Sequence, residues 1–178
     1  MTARLILVDA ANAAVGLASW EDVHAFPEGR LHRAFSVYIF RNNGAEILVQ
    51  RRSQSKLFAG LWANACCSHP REGENDMMKV AERRLNEELG FACHLSSRGS
   101  FVYRAEDPAG RGAEYEHVTL FSGNTDDVNV KADPREVMEW KWMNMENLQK
   151  DMAKNPQQFA PWFHIGLEQL LEMSAMNK

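Results

Sequence analysis

The sequence predicts an α+β sandwich. Short runs rich in branched and aromatic residues, separated by turn signals, read as strands. Residues 76–89 carry one apolar stripe at helical spacing, and two more helical patterns close the chain. Strands mixed with a few helices, with hairpin signals between strands, are the pattern of a layered α+β domain. A chain of 178 residues is long enough for one real core, burying roughly 70% of the surface its unfolded form would expose. No repeat, low-complexity tract or linker divides it, so residues 1–178 are expected to form one domain.

The elements follow in order. Leu5–Val8 reads as a first strand, and Ser19 as the cap of a helical turn through His24. His32–Arg41 is a long strand, Asn42-Asn43-Gly44 a hairpin turn, and Glu46–Gln50 the returning strand. In Asp76–Leu89 the residues Met78, Ala81, Leu85 and Leu89 form the stripe, and Gly90 is placed as the C-terminal cap. Ser100–Ala105 and Glu116–Ser122 flank the turn Asp107-Pro108-Ala109-Gly110, and Val137–Trp142 is a further strand. Met145–Lys154 and Pro161–Met173 read as helices, the second with Pro in its first turn.

Composition narrows the function. A net charge of −4 is not the footprint of a nucleic-acid binder, although a local basic cluster could hold a small anion. Of three cysteines, Cys66 and Cys67 are adjacent and make a poor structural pair, which points to a reducing compartment. The apolar run Leu5–Val8 is too short for a signal peptide, and no run approaches a membrane span. A cytoplasmic protein with no membrane or nucleic-acid partner is expected.

The most informative stretch is Asn64-Ala65-Cys66-Cys67-Ser68-His69-Pro70, joined by Glu114-Tyr115-Glu116 farther along. Carboxylates at i and i+2 share one face of a strand. A thiol, an imidazole and two carboxylates can bind a divalent metal and move protons on carbon. Pro70 stiffens the backbone, so Cys67 and His69 are expected on a rigid turn. The alternative for Glu114 and Glu116 is an exposed strand face beside Arg111. At the end of the helix, Glu87 and Glu88 face the negative end of the dipole, an arrangement that costs about 0.3–1 kcal/mol each when exposed and that a bound cation would reverse. From this segment alone the simpler reading is a solvated helix end with two i, i+4 ion pairs. Cys66 and Cys93 read as small apolar residues, His94, His117 and His164 as surface or core, and Trp62, Trp140 and Trp142 as packing.

Arg83 with Glu87-Glu88-Leu89-Gly90-Phe91 resembles the second half of the Nudix box, R-E-x-x-E-E-x-G-apolar, with Arg84 where the box has Glu and with His69 and Asn75 where its first half has Gly and Glu. That degenerate box together with Asn-Ala-Cys-Cys-Ser-His-Pro resembles type I isopentenyl diphosphate isomerase. The likeness runs along nearly the whole chain: Leu31–Ser36, Gln50–Ser53, Lys56, Gly60–Asn64, Tyr103–Ala105, Glu114 with Glu116, and Phe159–Trp162.

The resemblance implies a Nudix-like α/β/α sandwich with mixed sheets and extra N- and C-terminal elements. It also implies interconversion of isopentenyl and dimethylallyl diphosphate through a tertiary carbocation, in isoprenoid biosynthesis, by a monomer or homodimer. By resemblance Cys67 and Glu116 are acid–base groups on opposite faces of the substrate, with Tyr103 assisting Glu116. His24, His32, His69, Glu114 and Glu116 match the ligands of one divalent metal. Glu88 matches a contact to Mg²⁺ bridging to the diphosphate, Arg52, Lys56 and Arg84 match diphosphate contacts, and Trp162 matches an aromatic wall over the reacting carbons. The tightly held ion is expected to be Mn²⁺, Zn²⁺ or Mg²⁺; three imidazoles with two carboxylates suit a borderline ion such as Zn²⁺, Mn²⁺ or Fe²⁺ better than Mg²⁺. One departure is Trp20, which stands where many relatives carry a Lys that contacts the diphosphate; Arg51 or Arg83 are candidates to compensate. The rival readings are a Nudix diphosphohydrolase, against which the broken box argues, and a binding module without turnover.

Overall fold

The computed structural model describes residues 4–176. Its centre is one mixed sheet whose axis is β3 (His32–Arg41). Along one side, β3 pairs in parallel with β8 (Ala113–Asn124), in unbroken register from His32↔Glu116 to Phe40↔Asn124. Along the other side it meets three strands in turn: β1 (Leu5–Val8) at His32, β6 (Cys66–Ser68) at Phe35–Val37, and β4 (Glu46–Arg52) at Phe40 and Arg41. β1 carries β2 (Ala14–Ala18), β4 carries β5 (Trp62–Asn64) and β9 (Val137–Asn144), and β8 carries β7 (Ser96–Glu106).

Strand periodicity divides the core in two. Ala34, Tyr38, Ile47 and Val49 face one side, where α3 (Met145–Lys154) and α4 (Pro161–Met176) cover them with Leu148, Met152, Trp162, Phe163 and Leu167. Phe35, Val37, Ile39 and Leu48 face the other, where α2 (Met77–Leu89) packs through Val80, Ala81, Leu85 and Leu89. Each of these leucines contributes about 1.5–3 kcal/mol by leaving water. The result is the expected α/β/α sandwich. Among the described residues no helix is long and apolar enough to cross a membrane.

The local signals act as expected at several ends. Asp76 caps α2, its Oδ1 accepting from the Lys79 amide at 3.1 Å, and Gly90 ends it at φ 73°. Ser19 caps α1 (Trp20–Val23). Asn42, Asn43 and Gly44 all have positive φ in the β3–β4 turn.

Three strands escaped the pattern reading. β2 is mostly exposed, contains Gly16 and, among the described strands, pairs only with β1, so it lacks an alternating signature. β5 and β6 are three residues each, too short for a period to register. This corrects the expectation of a rigid turn at Cys67: the cysteine lies in β6, opposite Ser36 on β3, and only His69 and Pro70 follow the strand. β4, β7, β8, β9 and α4 all run longer than their sequence patterns.

Candidate active site

The parallel register of β3 and β8 sets His32 beside Glu116, and the strand period puts Glu114 on the same face. His24 arrives from the end of α1, and His69 from the end of β6. One ligand atom from each of His24, His32, His69 and Glu114 lies within 4.8 Å of all the others. Glu116 joins them, its Oε1 lying 2.7 Å from His69 Nε2 and 3.6 Å from His32 Nε2.

The ring hydrogen bonds fix what this cluster can bind. His24 Nδ1 lies 2.8 Å from the Trp20 carbonyl, and His32 Nδ1 lies 2.8 Å from that of Arg30. A carbonyl can only accept, so in the neutral rings each Nδ1 carries the proton and each Nε2 presents a lone pair. His24 Nε2, His32 Nε2 and Glu114 Oε2 are buried without a hydrogen-bond partner, although His24 Nε2 and Glu114 Oε2 are only 3.1 Å apart. Buried lone pairs facing one another are costly unless a cation sits among them. The donor set therefore fits a divalent metal. Burial lowers the His24 pKa, but the Glu114 carboxylate, with the Trp20 carbonyl and the Glu116 charge, outweighs it and the net shift is upward. Burial also acts on His69, and there it prevails over Glu116, so the shift is downward. For Glu116 burial opposes ionisation, yet His32 and His69 hold its carboxyl well below the usual range.

Across from Glu116 lies the thiol. Cys67, Tyr103, Glu116, Trp162 and Arg52 line a single cavity of about 30 Å³, room for one or two waters. Tyr103 Oη donates to Glu116 Oε2 at 2.6 Å. Cys67 donates to Asn64 Oδ1 at 3.0 Å, lies 3.3 Å from Ser36 Oγ and accepts from Trp162 Nε1 at 3.1 Å. Asn64 cannot turn, because its Nδ2 donates to the carbonyls of Val37 and Cys66, both at 3.0 Å. Burial, reinforced by the Glu116 charge, pushes the Cys67 thiol up to about 11.

Outward the cavity meets a larger pocket of about 550 Å³, lined by Arg52, Lys56, Arg84, Trp20 and Arg71 among others, and sharing Cys67, Ser68, His69 and Glu114. Glu88 does not line this pocket but lies behind it, held by two of its lining residues, Arg84 and Lys56. The reading of a solvated helix end is corrected here: Glu88 is fully buried, with Arg84 Nη2 2.6 Å from Oε1 and Lys56 Nζ 3.3 Å from Oε2. α2 turns this residue under the sheet, where two cations reach it. Glu114 and Glu116 are likewise buried rather than an exposed face, and Arg111 pairs with Asp107 instead.

The structure thus brings together every predicted site residue. It also adds some. Glu136, in the turn before β9, binds Lys56 at 2.6 Å and Arg84 at 3.1 Å. No local pattern marks it, since only the β4–β9 pairing carries it there. Asn64 and Ser36 hold the thiol; Asn64 was in the motif, but its partner could not be read. Neither Arg51 nor Arg83 lines the pocket: Arg51 donates to the Gly60 carbonyl and Arg83 binds Glu74 and Glu87. Arg71 is the added cation at its edge. His94 is exposed, His117 is buried, and Trp62 and Trp142 pack under Lys141 and Arg41.

Comparison with known proteins agrees with this geometry. The NUDIX domain family matches residues 30–163. A protein of Serratia proteamaculans named Isopentenyl-diphosphate Delta-isomerase is 41% identical over 92% of this chain and 88% of its own length. A Burkholderia multivorans protein of the same name is 40% identical over 94% of this chain and 93% of its own. A solved Deinococcus radiodurans structure superposes with a TM-score of 0.73 at 18% identity, over 93% of this chain and 98% of that one, and shares the fold. A sandwich whose degenerate box helix packs beneath a half-buried thiol and a three-histidine cluster, in a chain this similar to those two proteins along its length, belongs to the NUDIX superfamily and, within it, to the isopentenyl-diphosphate Delta-isomerase family.

Proposed function

We propose that this chain interconverts isopentenyl diphosphate and dimethylallyl diphosphate as one cytoplasmic domain, residues 1–178, with Cys67 and Glu116 as its acid–base pair. The observation that carries the assignment is the shared cavity: Cys67 and the Tyr103–Glu116 pair line the same small space, and the larger pocket with its cations opens directly from it.

The division of labour follows from the side chains. Arg52, Lys56 and Arg84 hold the diphosphate in the outer pocket, which aims the alkene into the inner cavity. One group delivers a proton to the terminal methylene carbon, and the positive charge develops on the branched carbon. The opposite group then removes a proton from the neighbouring methylene, so the double bond moves with no net change in protons. On one side the exchangeable proton resides on Cys67 sulfur; on the other it resides on Tyr103 Oη, whose hydrogen bond to Glu116 links it to a carboxylate. Burial, then the Glu116 charge, hold the Tyr103 hydroxyl protonated, well above its usual range. Protonating an unactivated alkene demands that water be absent, and a cavity this small admits the alkene only by displacing what water it holds. The Trp162 ring faces the cavity and supports the cation, an interaction worth about 2 kcal/mol when desolvated.

His24, His32, His69, Glu114 and Glu116 would hold one divalent ion, Mn²⁺ or Zn²⁺ ahead of Mg²⁺, and Glu88 would contact Mg²⁺ carried with the diphosphate. When bound, these ions supply positive charge that anchors the diphosphate and orders the carboxylates. For Glu88 to serve, Lys56 or Arg84 must exchange part of its contact with that carboxylate for the diphosphate.

The test is incubation with isopentenyl diphosphate and Mg²⁺ in D₂O, followed by NMR. Deuterium in dimethylallyl diphosphate is the expected result. Release of phosphate would point to a hydrolase, and an unchanged substrate to a binder; either outcome ends the proposal.

A further inference from the structure

Trp20 keeps 42% of its surface exposed at the outer pocket, yet its ring stacks on His24 with centroids 4.3 Å apart and planes 25° apart. We propose that Trp20 is a positioning residue for the histidine cluster: its indole fixes the plane of the His24 ring, covers it, and so tightens the hold of the site on its metal ion. The inference rests on the metal-binding reading above.

His24 needs such a restraint. It follows α1, a helix of one turn, which has little stability of its own. Its backbone is anchored, because the Ala113 amide donates to the His24 carbonyl at 2.9 Å, but that bond leaves the side chain free to rotate. Trp20 restrains the ring twice. Its carbonyl meets His24 Nδ1 at 2.8 Å, which selects the tautomer, and its indole lies flat on the outer face. On the inner side His32 and His69 present their rings at steep angles, 70° and 65°, with centroids 4.9 and 5.2 Å away. His24 is thus clamped between an indole and two imidazoles and is only 2% exposed.

The chemistry of the stack favours the loaded site. A metal-bound imidazole is electron-poor, and the face of an indole is electron-rich, so their attraction grows when the ion is present. A lysine in the same place would set a like charge near the ion. The carbonyl contact survives any substitution at this position, so side-chain variants report on the stack alone.

The experiment uses the full chain, stripped of metal and titrated with Mn²⁺ or Zn²⁺ alone, with release timed by a chelator. Trp20→Ala and Trp20→Leu should each weaken binding by about tenfold, mainly through faster release, whereas Trp20→Phe should stay within about twofold of the parent. Leu retains an apolar cover without an aromatic face. If it binds as tightly as the parent, or if Phe binds as weakly as Ala, stacking is not the cause and the inference is overturned. Should Trp20→Ala also melt early without metal, the comparison of Phe with Leu decides at matched apo stability. A parent that titrates identically to His32→Ala would overturn the metal-binding reading itself; a parent that binds while Trp20→Ala is unchanged overturns only this inference.

Discussion

The indole Nε1–H of Trp162 donates to the sulfur of Cys67 at 3.1 Å, and the guanidinium of Arg52 lies 4.8 Å from the centroid of the same ring. One side chain therefore touches both the Cys67 sulfur and a cation that lines the outer pocket. Trp162→Phe keeps a ring over the cavity and removes the donor. A hydrogen bond of this kind contributes about 0.5–1.5 kcal/mol, so kcat should fall roughly 2- to 10-fold with the fold intact. Trp162→Ala, which also loses the ring, should fall much further. Steady-state kinetics of the two variants side by side would check the order.

Cys67→Ala should abolish interconversion and leave the circular dichroism spectrum unchanged. Retained turnover would remove the thiol from the reaction. The pH dependence of the native thiol is a second check. Its pKa is raised from 9.0 to about 11, so the neutral thiol is the folded form, and the stability it lends is complete below the unfolded value and is lost as pH climbs through 11. Alkylation by iodoacetamide in the native state should keep accelerating past pH 9, where an ordinary cysteine levels off.

Metal removal should be measurable without substrate. The unpartnered His24 Nε2, His32 Nε2 and Glu114 Oε2 make the empty cluster unfavourable. Mn²⁺ or Zn²⁺ at about 100 times its dissociation constant should stabilise the fold by about 2.7 kcal/mol, read as a rise in melting temperature. His32→Ala should erase the rise.

Arg84→Ala would strip Glu88 of its closer cation while Lys56 remains at 3.3 Å. Breaking a buried pair costs about 3–5 kcal/mol when the remaining charge is isolated; with Lys56 still present, about 2–3 kcal/mol is expected in urea unfolding. Diphosphate affinity should fall as well. A variant as stable as the parent would mean that Lys56 alone compensates the carboxylate.

Gly90→Ala tests the end of α2. Its φ is +73°, and a Cβ there would lie 2.7 Å from the Lys131 carbonyl oxygen. The left-handed conformation alone costs an L-residue about 1–2 kcal/mol, and the contact adds to it, so the midpoint of denaturation should drop with activity retained in the folded fraction.

Much of this protein was legible in one dimension. The period of two in His32–Arg41 and of 3.6 in residues 77–89 dictates which side chains face which layer, because those periods are properties of the backbone itself. The residues that meet in the histidine cluster and the two cavities were named through a family resemblance carried by the order and spacing of motifs. What the string could not carry was pairing. Whether Cys67 sits on a turn or a strand depends on its neighbour Ser36, 31 residues away. Whether Glu88 is solvated depends on Lys56 arriving from the loop after β4, with Glu136 from the turn before β9 holding that lysine and Arg84 in place, and whether Trp20 is a missing cation or a cover for His24 depends on how a one-turn helix is set against β8. Local conformation follows from short-range sterics, which sequence records directly. Burial, charge compensation and ring stacking arise between segments distant along the chain, so only the folded sheet decides them.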